Sequence, residues 1–166
     1  MTDKHEGGAS APGIPEIRMF LTDCDGCLTD GGMYYGESGE ELKKFNAQDG
    51  MGFKLLRERG ILCGVITGEK RELNARRAKK LRLDILEQGV QDKLSVVSAL
   101  CGKRGIPLGN VAYVGDDVND LAVVKAVGFG CSVQNGVEAV KSAAKYVSRA
   151  RGGDGAVREI IDLLLN

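Results

Sequence analysis

Acidic residues cluster tightly at two places in the chain, Asp23-Cys24-Asp25-Gly26 and Gly115-Asp116-Asp117-Val118-Asn119-Asp120. Single polar residues stand at two others, Thr67-Gly68-Glu69 and Lys93. Gathered at one point, the carboxylates of Asp23, Asp25, Asp116, Asp117 and Asp120 would repel one another and be driven toward neutrality unless a cation sat among them. A hard divalent ion with oxygen ligands resolves that crowding, and Mg²⁺ is the usual occupant of such a set when a phosphate shares it. The Thr67 hydroxyl and the Lys93 ammonium are donors suited to phosphoryl oxygens. The glycines beside the motifs let backbone N–H groups approach the same oxygens. Phosphoryl transfer asks for an in-line nucleophile, a metal and donors for the equatorial oxygens. A carboxylate can be the nucleophile, forming an aspartyl-phosphate, and a second carboxylate can serve as acid and base.

Composition favours this chemistry by removing others. The single histidine, His5, lies in a Gly-, Ala-, Ser- and Pro-rich leader. Ser-His-Asp and Cys-His catalysis and His-ligated zinc therefore have no histidine in the folded body. Lys plus Arg is 23 and Asp plus Glu is 23, so no bulk basic field draws nucleic acid or an anionic membrane. The five cysteines are odd in number and no apolar signal segment precedes them, which implies free thiols in a reducing cytoplasm. Cys24 and Cys27 have C-x-x-C spacing, but no second Cys/His pair completes a zinc site. No apolar run approaches the roughly 18 residues of a membrane span.

The elements that must position the motifs alternate along one domain of 166 residues. Residues 1–15 read as a disordered leader and 16–166 as a single folded unit. Short apolar runs at 17–22, 61–66, 84–86, 111–114, 128–133 and 146–148 read as strands. Helical patterns cover 49–59, with Met51, Leu55 and Leu56 inward, then 70–82, 92–103, 119–127, 137–144 and 156–165. Residues 33–45 read as a hairpin around Gly36-Glu37-Ser38-Gly39. Strands alternating with helices predict an α/β fold, a mostly parallel sheet with helices on both faces. Ligands of such sheets bind beyond the carboxyl ends of the strands, where all four motifs fall.

With that order of motifs, the stretch from Ile17 to Leu165 resembles the haloacid dehalogenase superfamily of phosphohydrolases. The resemblance implies a Rossmann-like domain, Asp23 as nucleophile, and Asp25 as general acid and base whose carbonyl ligates Mg²⁺. It further implies Thr67 and Lys93 as the phosphate-binding pair, Asp116 as acidic metal ligand, and Asp117 and Asp120 as supporting metal-site acids. Neither 28–48 nor 67–93 has room for the cap domain that many members carry. Thr29-Asp30-Gly31-Gly32, Asp49-Gly50-Met51-Gly52 and Gly152-Gly153-Asp154-Gly155 resemble the capless sugar-acid phosphate phosphatases. These are homotetramers in which neighbouring subunits close each site. Eight-carbon members, acting on 3-deoxy-octulosonate 8-phosphate, typically carry Arg where Glu69 stands. Glu69, beside Gly68, together with Lys80 and the stretch from Gly31 to Asn46, resembles the nine-carbon branch acting on KDN or N-acetylneuraminate 9-phosphate; Arg77 is common to both branches and suits the sugar carboxylate. The expectation is therefore a cytoplasmic, Mg²⁺-dependent phosphatase of a nine-carbon sugar acid, with the eight-carbon substrate as alternative. Two other classes stand beside it. A response-regulator receiver has these residue types in another order, and a non-catalytic oligomerisation domain would lack the intact acids.

Overall fold

The computed structural model describes residues 13–39 and 41–166. The leader expected over 1–15 lies, up to residue 12, outside the described residues. The first strand, β1 (Met19–Thr22), is buried on both faces. It pairs in parallel with β4 (Leu62–Thr67) on one side and β6 (Val111–Gly115) on the other, Met19 opposite both Leu62 and Val111. A strand covered on both faces is selected for continuous apolar character rather than alternation, which is how Met-Phe-Leu reads. Beyond these lie β5 (Ile85–Gln88), β7 (Phe129–Ser132) and β8 (Tyr146–Val147). The parallel order is β5-β4-β1-β6-β7-β8, the Rossmann-like sheet expected from the sequence.

Helices cover both faces. On one face α1 (Ala47–Glu58) and α6 (Ala156–Leu165) pack Phe53, Leu56, Val157, Ile160 and Ile161 around Phe20. The Phe20 and Phe53 rings meet edge to face, 5.9 Å between centroids. On the other, α3 (Lys93–Arg104), α4 (Leu121–Ala126) and α5 (Glu138–Lys141) bury Val97, Val123 and Val140 against Met19 and Leu21. The remaining helix, α2 (Glu72–Leu81), joins β4 to β5 and buries Asn74, Ala78 and Leu81. Between β1 and α1 stand a turn and a hairpin, β2 (Tyr34–Tyr35) and β3 (Glu41–Leu42), and among the described residues no cap domain covers the strand ends.

Three details differ from the sequence reading. In α1 the buried face is Asp49, Gly52, Phe53 and Leu56, and Met51 is 49% exposed. The close approach of α6 sets this phase: a Cβ on Gly52 would lie 2.9 Å from Ile161 Cδ1, so the inward position takes no side chain. The helix expected over 119–127 opens as a 3₁₀ turn, Val118–Asp120, because Asp117 and Asp120 cap one another's backbone there. The helix expected over 137–144 is shorter. Lys145 N–H reaches the Gly130 carbonyl at 2.8 Å, turning the chain early into β8.

Candidate active site

Adjacency in the sheet does most of the assembly. The central strands β4, β1 and β6 release Thr67, Asp23 and Asp116 side by side at one edge. Immediately after β1, Asp23 N–H still bonds the Val114 carbonyl (2.9 Å), which holds the residue in register with β6. One Asp23 oxygen accepts from Cys24 N–H at 2.7 Å. The chain then makes a wide turn over Cys24–Leu28, closed by Thr29 N–H on the Cys24 carbonyl (3.1 Å). Gly26 has φ +86°, and a Cβ there would overlap the Asp116 carboxylate, so the turn needs glycine both for its backbone and for its neighbour.

Lys93 opens α3, whose cap is Asp92, accepting from Ser95 N–H at 3.0 Å. The Lys93 side chain is fully buried. Its Nζ lies 3.0 Å from Asp23 Oδ2 and 2.7 Å from Asp120 Oδ1. Burial opposes its charge, but Asp23 and Asp120 more than offset this and hold the ammonium above its ordinary pKa. Asp120 is itself fully buried. Its Oδ1 also accepts from Tyr113 Oη at 2.6 Å, and its Oδ2 accepts from the N–H groups of Asp116 (3.0 Å) and Asp117 (3.4 Å). Burial, and next the Asp120 charge, push both Asp23 and Asp116 up to about 7. Carboxylate oxygens of Asp23, Asp116 and Asp120 lie within 4.8 Å of one another. Crowded, partly desolvated carboxylates of this kind fit a hard divalent cation.

A cleft of about 280 Å³ opens over these groups. Of the residues expected to do chemistry, it brings together Asp23, Asp25, Thr67, Gly68, Glu69, Asp116 and Asp117, with Val118 and Asn119 beside them. Lys93 and Asp120 do not line it but lie buried behind it, against Asp23 and the Asp116 backbone. Arg77 and Lys80 do not line it. Arg77 donates to the Asn46 carbonyl at 2.8 Å and stacks over Phe45 at 5.1 Å, and Lys80 is exposed on α2. Cys24 and Cys27 are buried and free, as are the other three cysteines; burial raises both thiols, and no disulfide or zinc site forms among the described residues.

Several residues of the site stand outside the four strand-end motifs. Lys43, from the hairpin, places Nζ 2.8 Å from Asp25 Oδ1. Asn74, on α2, accepts from Lys43 Nζ at 3.3 Å and from Cys24 Sγ at 3.4 Å. Asn135 donates to the Gly26 carbonyl (3.0 Å) and accepts from Gly152 N–H (2.7 Å), tying the turn to the loop before α6. A Cβ on Gly152 would overlap that same Gly26 carbonyl, and one on Gly153 (φ +73°) the Thr29–Asp30 backbone, so both positions require glycine. Lys43, Asn74 and Asn135 are polar residues in polar stretches, and no local spacing marks their partners.

Comparison with known proteins places this geometry. A family model described as haloacid dehalogenase-like hydrolase matches residues 62–160. The chain is 44% identical over 149 residues to 3-deoxy-D-manno-octulosonate 8-phosphate phosphatase of Escherichia coli, covering 90% of this chain and 79% of that protein. It is 40% identical to the Yersinia pestis protein of the same name, over 90% and 80%. The Moraxella catarrhalis phosphatase, solved with magnesium, phosphate and KDO, superposes with a TM-score of 0.88 at 43% identity, over 90% of this chain and 86% of that one. The cobalt-bound Haemophilus influenzae phosphatase superposes at 0.86 with 34% identity, over 90% and 88%.

Proposed function

The chain belongs to the haloacid dehalogenase-like hydrolases, and on that premise we propose that it is a phosphatase removing the phosphate of 3-deoxy-D-manno-octulosonate 8-phosphate. The observation that carries the chemistry is the contact of Asp23 with the buried Lys93 ammonium, 3.0 Å, in a cleft that also holds Thr67 and Asp116. The phosphoryl group lies between the Thr67 hydroxyl and Lys93. Asp23 attacks phosphorus in line, and the sugar oxygen leaves with a proton from Asp25. Asp25 then takes a proton from water, which attacks the aspartyl-phosphate, releasing phosphate and restoring Asp23. Asp23, Asp116 and the Asp25 carbonyl would hold Mg²⁺, which would supply positive charge to offset that of the transferring phosphoryl group. Asp120 has both oxygens committed to Lys93, Tyr113 and two backbone N–H groups, so its part is to fix Lys93 and the Asp116 backbone. Asp117 stands at the cleft rim.

The eight-carbon substrate replaces the nine-carbon one expected from Glu69, Lys80 and the hairpin stretch. Relatives named for the eight-carbon activity share 40–44% identity over nine-tenths of the chain, and Lys80 does not line the cleft. The open cleft and the exposed Tyr34, Tyr35 and Leu42 of the neighbouring hairpin support closure by another copy of the chain in a homotetramer. The test is kcat/KM with Mg²⁺ on the eight-carbon 8-phosphate and the two nine-carbon 9-phosphates, with the mass in solution measured on the same sample. At least tenfold preference for the eight-carbon ester is expected, from an oligomer. Preference for a nine-carbon ester would return the specificity to Glu69, and a monomer with full activity would remove the closing subunit.

A further inference from the structure

We propose that Lys43 is a positioning residue that sets the direction of the Asp25 carboxylate. The proposal rests on the reading of Asp25 as the acid and base of phosphate ester hydrolysis. Lys43 follows β3 in the hairpin, between outward neighbours: Leu42 is 65% exposed and the Lys44 side chain 52%. The Lys43 side chain turns the other way and has no exposed surface. Burying an ammonium is costly unless it is paired and hydrogen-bonded. Here it meets both Asp25 oxygens, Oδ1 at 2.8 Å and Oδ2 at 3.1 Å, and the Asn74 side-chain oxygen at 3.3 Å.

A carboxylic acid that protonates a leaving oxygen must present one oxygen at hydrogen-bonding distance. Asp25 sits on a turn with extended backbone (φ −79°, ψ 124°) and is about one-fifth exposed at its side chain. The fork from Lys43 fixes the rotation of its carboxylate. Asn74 is 3% exposed, and its amide group donates to the Glu69 carbonyl at 3.3 Å. The hairpin, the Asp23–Gly26 turn and the loop after Thr67 are thereby joined by two residues outside the four strand-end motifs.

The experiment compares wild type, Lys43→Met and Lys43→Arg with Mg²⁺ on substituted aryl phosphates from p-nitrophenyl to phenyl phosphate. The quantity read is kcat/KM, which reports the steps through phosphoryl transfer to Asp23. A nitrophenolate leaves without a proton, whereas phenolate needs one. Lys43→Met is expected to lower kcat/KM on phenyl phosphate by roughly tenfold or more and on p-nitrophenyl phosphate by less than about threefold. Lys43→Arg is expected to recover most of that loss. An equal loss on every ester, or no recovery with arginine, would overturn the proposal. Should Lys43→Met fail to fold, Asn74→Leu, which removes the ammonium's second acceptor at similar volume, must steepen the same leaving-group dependence; an unchanged slope there would also overturn it. Absence of wild-type turnover on any of the esters would instead count against the phosphatase reading.

Discussion

Lys93 is the residue on which the electrostatics of the cleft turn. Its ammonium is buried with Asp23 and Asp120, and those acids are buried with it. Such an arrangement contributes little net stability while intact, but removing one member leaves charge without compensation. Lys93→Met is therefore expected to cost about 3–5 kcal/mol in urea unfolding and to remove measurable turnover. A change below about 1 kcal/mol would show that Asp23 and Asp120 adjust by taking up protons. At this scale the motif residues were legible, because Asp23, Asp25, Thr67, Lys93 and Asp116 each follow an apolar strand or open a helix. Lys43 and Asn74 were not legible. No spacing gives a partner to a lysine in Glu-Leu-Lys-Lys-Phe or to an asparagine in a basic helix, and only the inward turn of the hairpin does so.

Between elements, Asp49 has a comparable part. Gly155 precedes α6 at φ +94° and offers no side-chain cap. The cap comes instead from α1, where Asp49 Oδ1 accepts from Arg158 N–H at 2.8 Å. Asp49 is fully buried and its Oδ2 has no partner. Burial, only partly relieved by that bond and by Arg77 and Arg158, raises its pKa from the ordinary 3.8 to about 6. Between those values the folded protein holds more protons than the unfolded chain. Stability contributed by this group is thus complete below about pH 4 and is lost as pH rises through about 6. Asp49→Asn keeps the acceptor and removes the ionisation. The difference in unfolding free energy between variant and wild type should change by about 3 kcal/mol in favour of the variant between pH 4 and 7. Parallel stability–pH curves would mean that Asp49 ionises freely. The sequence placed α1 correctly but turned it toward Met51, because apolar periodicity does not register that α6 approaches over Gly52.

For the molecule as a whole, the parallel sheet converts strand order into a site. β4, β1 and β6 are neighbours, so motifs far apart in the chain end on adjacent strands. A cation that binds only this assembled state stabilises it by mass action. At a hundredfold excess over its Kd, Mg²⁺ should add about 2.7 kcal/mol, which for a domain of this size is roughly 5–10 °C in Tm. Asp116→Asn should abolish most of the rise and EDTA should reverse it. An identical Tm with and without Mg²⁺ would detach the acidic cluster from metal binding. No helix among the described residues is long and apolar enough to cross a membrane. By itself the sequence determined the α/β alternation, the missing cap and the chemistry of the strand-end residues, because periodicity and motif spacing are local properties of the chain. Only the tertiary structure decided which polar groups share that site. Lys43 on Asp25 and Asn135 on Gly26 meet across 18 and 109 residues, and outside the site Asp49 on Arg158 meets across 109. Contacts at such separations depend on how closely helices, loops and hairpin pack, which no local pattern encodes.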